Sequence, residues 1–173
     1  MPLTKIQSLG ITDGTIVNAD INASAAIAGT KISGSFGKVL QVVTATDATQ
    51  RSTTSASYVT GSNTLSISIT PSSTSNKIFI IATTTTINQG GAQSYFTIYR
   101  DSTNLAGAAG FHYTEGNAGE GQELPTTMSY LDSPSTTSAT TYQVYMKSSG
   151  SGVYSYLNAA SVTGTITAFE IAG

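Results

Sequence analysis

The stretch GAAGFHYTEGNAGEGQELP, residues 107–125, gathers the side chains best suited to chemistry in this chain. It holds the single histidine, His112, between Phe111 and Tyr113, and then Glu115, Glu120 and Glu123. Glycines between the acids would let such a segment wrap a ligand or a cation. It has no strand alternation, so it is expected to be a long loop, either a solvated tip or a contact surface. Metal binding finds little support. A hard cation needs several convergent oxygens, and the spacing is not that of an EF-hand. One histidine and no cysteine are too few for zinc unless an axis brings three copies of His112 together. Two carboxylates among Glu115, Glu120, Glu123 and Asp132 are the minimum for glycoside hydrolysis. They lie in or beside one glycine-rich segment with nothing to fix their separation, and no nucleophile motif or phosphate loop accompanies them. The expectation is no enzyme, no metal and no cofactor. Phe111, His112, Tyr113 and Glu115 are the candidate contact residues for a binding partner.

The segments that must position this loop read as strands. NTLSISIT (63–70) puts Leu65, Ile67 and Ile69 on one face and serines on the other, the alternation of a half-buried strand. KVLQVVTAT (38–46) precedes it. After the turn cluster PSSTSN, KIFIIATTTTI (77–87) reads as a strand whose start is buried on both faces. AQSYFTIYRDSTNLA (92–106) predicts a hairpin around Asp101–Asn104, which gives Arg100 and Asp101 structural roles. Four more strands are predicted over 124–132, 140–148, 152–160 and 163–173. Turn signals every 8–12 residues with no convincing helix predict an all-β fold, an antiparallel β-sandwich or jelly roll over residues 38–173. The nine tyrosines include alternating pairs such as Tyr154 and Tyr156, and Tyr142 alternates with Val144 and Met146. They are expected to fill cross-strand pairs or a subunit seam. Outward-facing ones suit protein or carbohydrate contact, since the ring is apolar and its hydroxyl hydrogen-bonds.

Composition limits the classes of partner. Charged residues make up 9% of the 173, against about 25% in an ordinary soluble protein. Serine and threonine carry the surface instead, and threonine favours pleated sheet. Hydrophobic residues at 39% and a net charge of −2 exclude the disordered class. Seven scattered Lys and Arg argue against nucleic acid, and no apolar or basic amphipathic stretch calls for a membrane. The opening MPLTKIQSLG has no signal-peptide character, so synthesis and assembly in a cytoplasm are expected.

Residues 1–37 follow another rule. Ile6, Ile11, Ile16 and Ile21 recur every five residues, and Ile27 and Ile32 follow after one extra residue. Neither a helix nor a strand buries that spacing on one face. One reading is an extended arm intertwined with other copies, three isoleucines meeting at each rung. Six such rungs would contribute about 1.5–3 kcal/mol per isoleucine, against an ordering cost of roughly 1–2 kcal/mol per residue. The other reading is a tether that orders only on docking.

ITDGTIVNADINASAAIAGTKISG (11–34) resembles the linker repeats of bacteriophage tail fibres from marine and cyanobacterial phages. SNKIFIIATTTT, YFTIYRDSTNLA, YLDSPSTTSATTYQVYMKSS and NAASVTGTITAFEIA resemble the distal β-domains of the same virion proteins, whose heads look like trimeric jelly rolls of the C1q and TNF type. The resemblance implies a homotrimer located in the virion, with an attachment arm over 1–37 and a head over 38–173. The arm would join other virion proteins, and the head would bind a host surface glycan or protein. The chain has no long shaft, heptads or collagen repeat. Its short length and low charge also fit a second role, a capsid decoration protein whose arm laces neighbouring capsomers.

Overall fold

The computed structural model describes residues 38–89, 91, 93–116, 121–150 and 152–173. The isoleucine arm and Glu120 lie outside these residues. Among the described residues, eleven strands form two antiparallel sheets. β4 (Lys77–Asn88) is the spine of the first. One of its edges carries β8 (Gln122–Asp132), paired along its whole length. The other edge carries β11 (Gly164–Ile171) and β10 (Ser155–Leu157) end to end. Beyond those lie β1 (Val39–Asp47) and β2 (Arg51–Thr53), also end to end. In the second sheet β5 (Gln93–Arg100) pairs with β9 (Thr140–Ser148), which pairs with β3 (Ser66–Ile69). The free edge of β5 takes β6 (Thr103–Asn104) and β7 (His112–Glu115).

Taking the end-to-end pairs as single positions gives eight. Their order is first, eighth, third, sixth in one sheet and second, seventh, fourth, fifth in the other, the winding of a jelly roll. The interruptions have local causes. Asn158, Ala160 and Ser161 adopt positive φ and turn the chain out of the ladder between β10 and β11. The predicted strand over 152–160 therefore shrinks to Ser155–Leu157. Between β1 and β2 the carboxylate of Asp47 accepts the amides of Thr49 and Thr64, each at 2.9 Å, and pairs with Arg51.

The expected alternation holds. Leu65, Ile67 and Ile69 face inward with Ile78, Ile80, Phe96, Ile98, Met128, Val144 and Ile166. Tyr142 joins them, fully buried on the face it shares with Val144 and Met146. β4 departs from the prediction: its inner face is closed, while Phe79 and Ile81 on the outer face stay half-buried. The far end of the interior is lined by hydroxyls and amides instead. Thr86 and Thr126 pair at 2.9 Å, Ser155 donates to Ser94 at 2.7 Å, and Thr84 donates to Asn158 at 2.8 Å. Such groups are buried without large cost only when hydrogen-bonded, as these are.

Candidate functional site

The segment predicted as one loop divides into three parts. Residues 105–110 form a true loop, His112–Glu115 is strand β7 on the sheet edge, and Gln122 already begins β8. HYTE has no apolar alternation because an edge strand over a partly polar interior does not need it. Strand geometry then decides which way each candidate side chain faces.

Phe111 and His112 turn inward. Phe111 donates its amide to the Phe96 carbonyl at 2.9 Å and packs against Tyr130 of β8, with ring centroids 5.4 Å apart. His112 lies opposite Phe96 in register. Burial lowers its pKa below the ordinary histidine value, so the ring is neutral at pH 7. Its Nε2 is buried with no hydrogen-bond partner, and so is Oγ1 of Thr114 two residues on, on the same face. Tyr113 and Glu115 face outward, Tyr113 being 56% exposed. The four predicted contact residues therefore do not share one surface. Three of them, Phe111, His112 and Tyr113, line a cleft of ≈ 290 Å³ together with Ala109 and Gly110, and Glu115 stands outside that lining.

Outside the cleft, Tyr113 belongs to an aromatic field on the outer face of the second sheet. Its ring lies 6.0 Å from that of Tyr95, tilted by 30°, which gives two ring faces side by side. Tyr95 is followed in register by Lys147, whose ammonium sits 4.7 Å from the Tyr95 ring and 4.6 Å from the Tyr58 ring. Lys147 also donates to the Ala108 carbonyl at 2.9 Å. Tyr99 stacks on Tyr145 at 4.0 Å and meets Tyr58 edge-on at 6.1 Å. Burial, with Tyr99 and Tyr95 beside it, pushes the Tyr58 phenol up to about 12. Tyr58 and Lys147 together clamp the 105–110 loop over this face through one carbonyl.

Gly110 is the hinge of that clamp. It has φ +72°, and a Cβ there would run into the Phe96 carbonyl and the Tyr58 hydroxyl. Gly110→Ala is expected to cost about 2 kcal/mol or more, combining left-handed strain with overpacking. A thermal melt will read this, and Gly107→Ala is the control, since its φ is +74° and a Cβ there meets nothing.

The acids do not converge. Asp132 is buried and committed to Arg100 and Tyr142. Glu115 lies on β7 opposite Gln93, and Glu123 on β8 opposite Ile87. Among the described residues no group of three His, Cys, Asp or Glu is placed to hold a metal. The predicted structural roles of Arg100 and Asp101 match the geometry: Asp101 accepts the Thr141 amide at 3.0 Å. Sequence reasoning missed Tyr58, Tyr95, Tyr99, Tyr145 and Lys147 as a group. The available signal was the placing of Tyr95 and Tyr99 on one face of a strand, and of Tyr145 and Lys147 on one face of another.

No family model and no curated protein matches the chain. Among solved structures, the chain is similar to a mutant VP2 protein of infectious bursal disease virus in derived T=1 particles. That likeness has a TM-score of 0.40 and 15% identity, over 84% of this chain and 40% of that one. A structure of the infectious bursal disease virus Gt strain gives a TM-score of 0.37 and 14% identity, over 86% and 42%. This chain thus spans about two-fifths of either relative.

Proposed function

We propose that this chain is a bacteriophage virion structural protein, a homotrimeric tail fibre or spike component that attaches the particle to a host surface. The observation that carries the attachment role is the exposed Tyr113 beside Tyr95, at the mouth of the cleft under the 105–110 loop. Ring faces of this kind stack on sugar rings or on apolar protein surface, and flanking polar groups fix orientation. Gln93, Glu115 and Lys147 supply those groups. The tail-fibre phrasing of residues 11–34 supports placement in the virion, with the arm at 1–37 and the head at 38–173. Binding at each copy need not be strong, because three sites on one particle raise avidity by about 10²–10⁴. The role is adhesion rather than catalysis.

The test has two arms. Tyr113→Ala is expected to lower adsorption of the purified protein to host cells by about tenfold, near 1.4 kcal/mol per site. Its fold should stay intact, since the ring is more than half exposed. Gold labelling of virions gives the location. Label over the capsid faces, with unchanged adsorption for Tyr113→Ala, would replace this reading with capsid decoration.

A further inference from the structure

The outer face of the β1–β11–β4–β8 sheet has a layout of its own, readable from the strand register. One row across it is Val42, Phe169, Phe79 and Leu131. The next is Thr44, Thr167, Ile81 and Ser129, and the third is Thr46, Thr165, Thr83 and Thr127. No residue in these rows carries a charge. Val42 and Leu131 are 54% and 47% exposed, and the rings of Phe79 and Phe169 lie 6.4 Å apart between them. Val39 extends the apolar band beside Ile171, at 52% exposure. Behind the band, Thr44 bonds Thr167 and Thr83 bonds Thr165, each at 2.9 Å, which consumes hydroxyl capacity that water would otherwise take. A contiguous, part-exposed apolar row across four neighbouring strands is the kind of surface that interfaces use.

We infer that this face packs against other copies of the same chain. The inference rests on the homotrimeric reading above and names the surface of the head that it uses. Two observations select a second copy over a foreign partner. The three rows are uncharged, with Lys77 at one rim beside Ile171 and Glu123 beyond the other beside Ile87, so copies meet on them without like-charge repulsion and a strongly charged partner would find no complement there. The chain also enters the head at Lys38–Val39, in the row next to this apolar band. The isoleucine segment, which on the intertwined reading needs several copies, joins the head in sequence at that point. The tyrosine field lies on the other sheet, so assembly on this face leaves it open.

The chain has no cysteine, so single cysteines can be placed without background. Val42→Cys, Thr44→Cys, Thr83→Cys and Leu131→Cys are treated with a flexible bis-maleimide in the full-length protein. Ser68→Cys, exposed on the other sheet, is the reference. Light scattering on each variant reads the oligomeric state. At micromolar protein, cysteines on a shared interface see millimolar effective concentration and should couple at least about 10²-fold faster than Ser68→Cys. An oligomer whose four face cysteines couple no faster than Ser68→Cys overturns the inference and leaves the homotrimeric reading standing. A monomer in light scattering overturns that reading, and this inference with it.

Discussion

Asp132→Ala should destabilise the head by about 3–4 kcal/mol, one of the two largest single effects expected in this fold. Asp132 sits at the end of β8, on the edge of one sheet. Arg100 at the end of β5 reaches it from the other sheet, with Nη1 at 2.9 Å and 3.0 Å from the two carboxylate oxygens. The buried Tyr142 hydroxyl donates to the same carboxylate at 2.6 Å. The carboxylate is nearly closed from water while the guanidinium is partly open, with side-chain exposures of 6% and 28%. Removing it strands a phenol and leaves a cation half-buried, and only the cation can recover some hydration. Burial first, and then the Asp132 carboxylate, push the Tyr142 phenol far above its ordinary pKa, so it stays a donor at any working pH. Tyr142→Phe should therefore cost less, about 1.5–2 kcal/mol, because it removes one charge-assisted bond and strands nothing cationic. Urea unfolding read by tyrosine emission will separate the two, since the chain has nine tyrosines and no tryptophan to obscure them. Equal losses for both variants would contradict this ordering.

Glu170→Gln is the second large effect, at about 3 kcal/mol, and it comes with a pH signature. Glu170 is 1% exposed. It accepts from Gln41 Nε2, from the amide and hydroxyl of Ser72, and from Asn76 Nδ2. Burial by itself would raise this carboxyl, but the bonds from Asn76, Gln41 and Ser72 outweigh it and hold the group at about 2. The donors are all neutral, so the site needs an acceptor at every oxygen rather than a charge partner. A glutamine amide would point hydrogens at hydrogens. The unfolded carboxyl titrates near 4.5. With the folded value depressed, the contribution is fully present above that pH and is lost as pH falls toward 2. The shift corresponds to about 3 kcal/mol. Urea midpoints taken at neutral pH and again between 4.5 and 2 should fall steeply for the parent and much less for Glu170→Gln. Parallel curves would show that this carboxylate is not the group that titrates.

Long strands with a buried inner face were legible in the sequence, because period-two alternation is the direct consequence of one wet and one dry face. Leu65, Ile67 and Ile69 illustrate this, each buried as the alternation requires. β2 was not legible and β10 was legible only as part of a longer strand, since segments of three residues are too short to show a period. Tyr142 shares its face with Val144 and Met146, as the alternation has it, but the partner that lets its hydroxyl be buried was not legible. That partner, Asp132, lies across the sandwich on a different sheet. The directions of the candidate side chains were hidden for a related reason. Reading residues 107–125 as loop removed the alternation that sends His112 inward and Tyr113 outward. Tyr113, Tyr95 and Lys147 fall into one row only through the pairing of β7 with β5 and of β5 with β9, which no local pattern encodes.

The division of the interior into an apolar end and a hydroxyl-lined end bears on how the head responds to temperature. Unfolding hydrates apolar surface, which raises heat capacity, and polar surface, which lowers it. An interior closed at one end by Thr86–Thr126, Ser94–Ser155 and Thr84–Asn158 exposes more of the second kind than an all-aliphatic core does. The heat-capacity change per residue should then fall below the usual ~12–15 cal/mol/K, and the curve of stability against temperature becomes a broad, shallow dome. A head built this way loses little on cooling. Its fold would be nearly as firm in cold water as in warm.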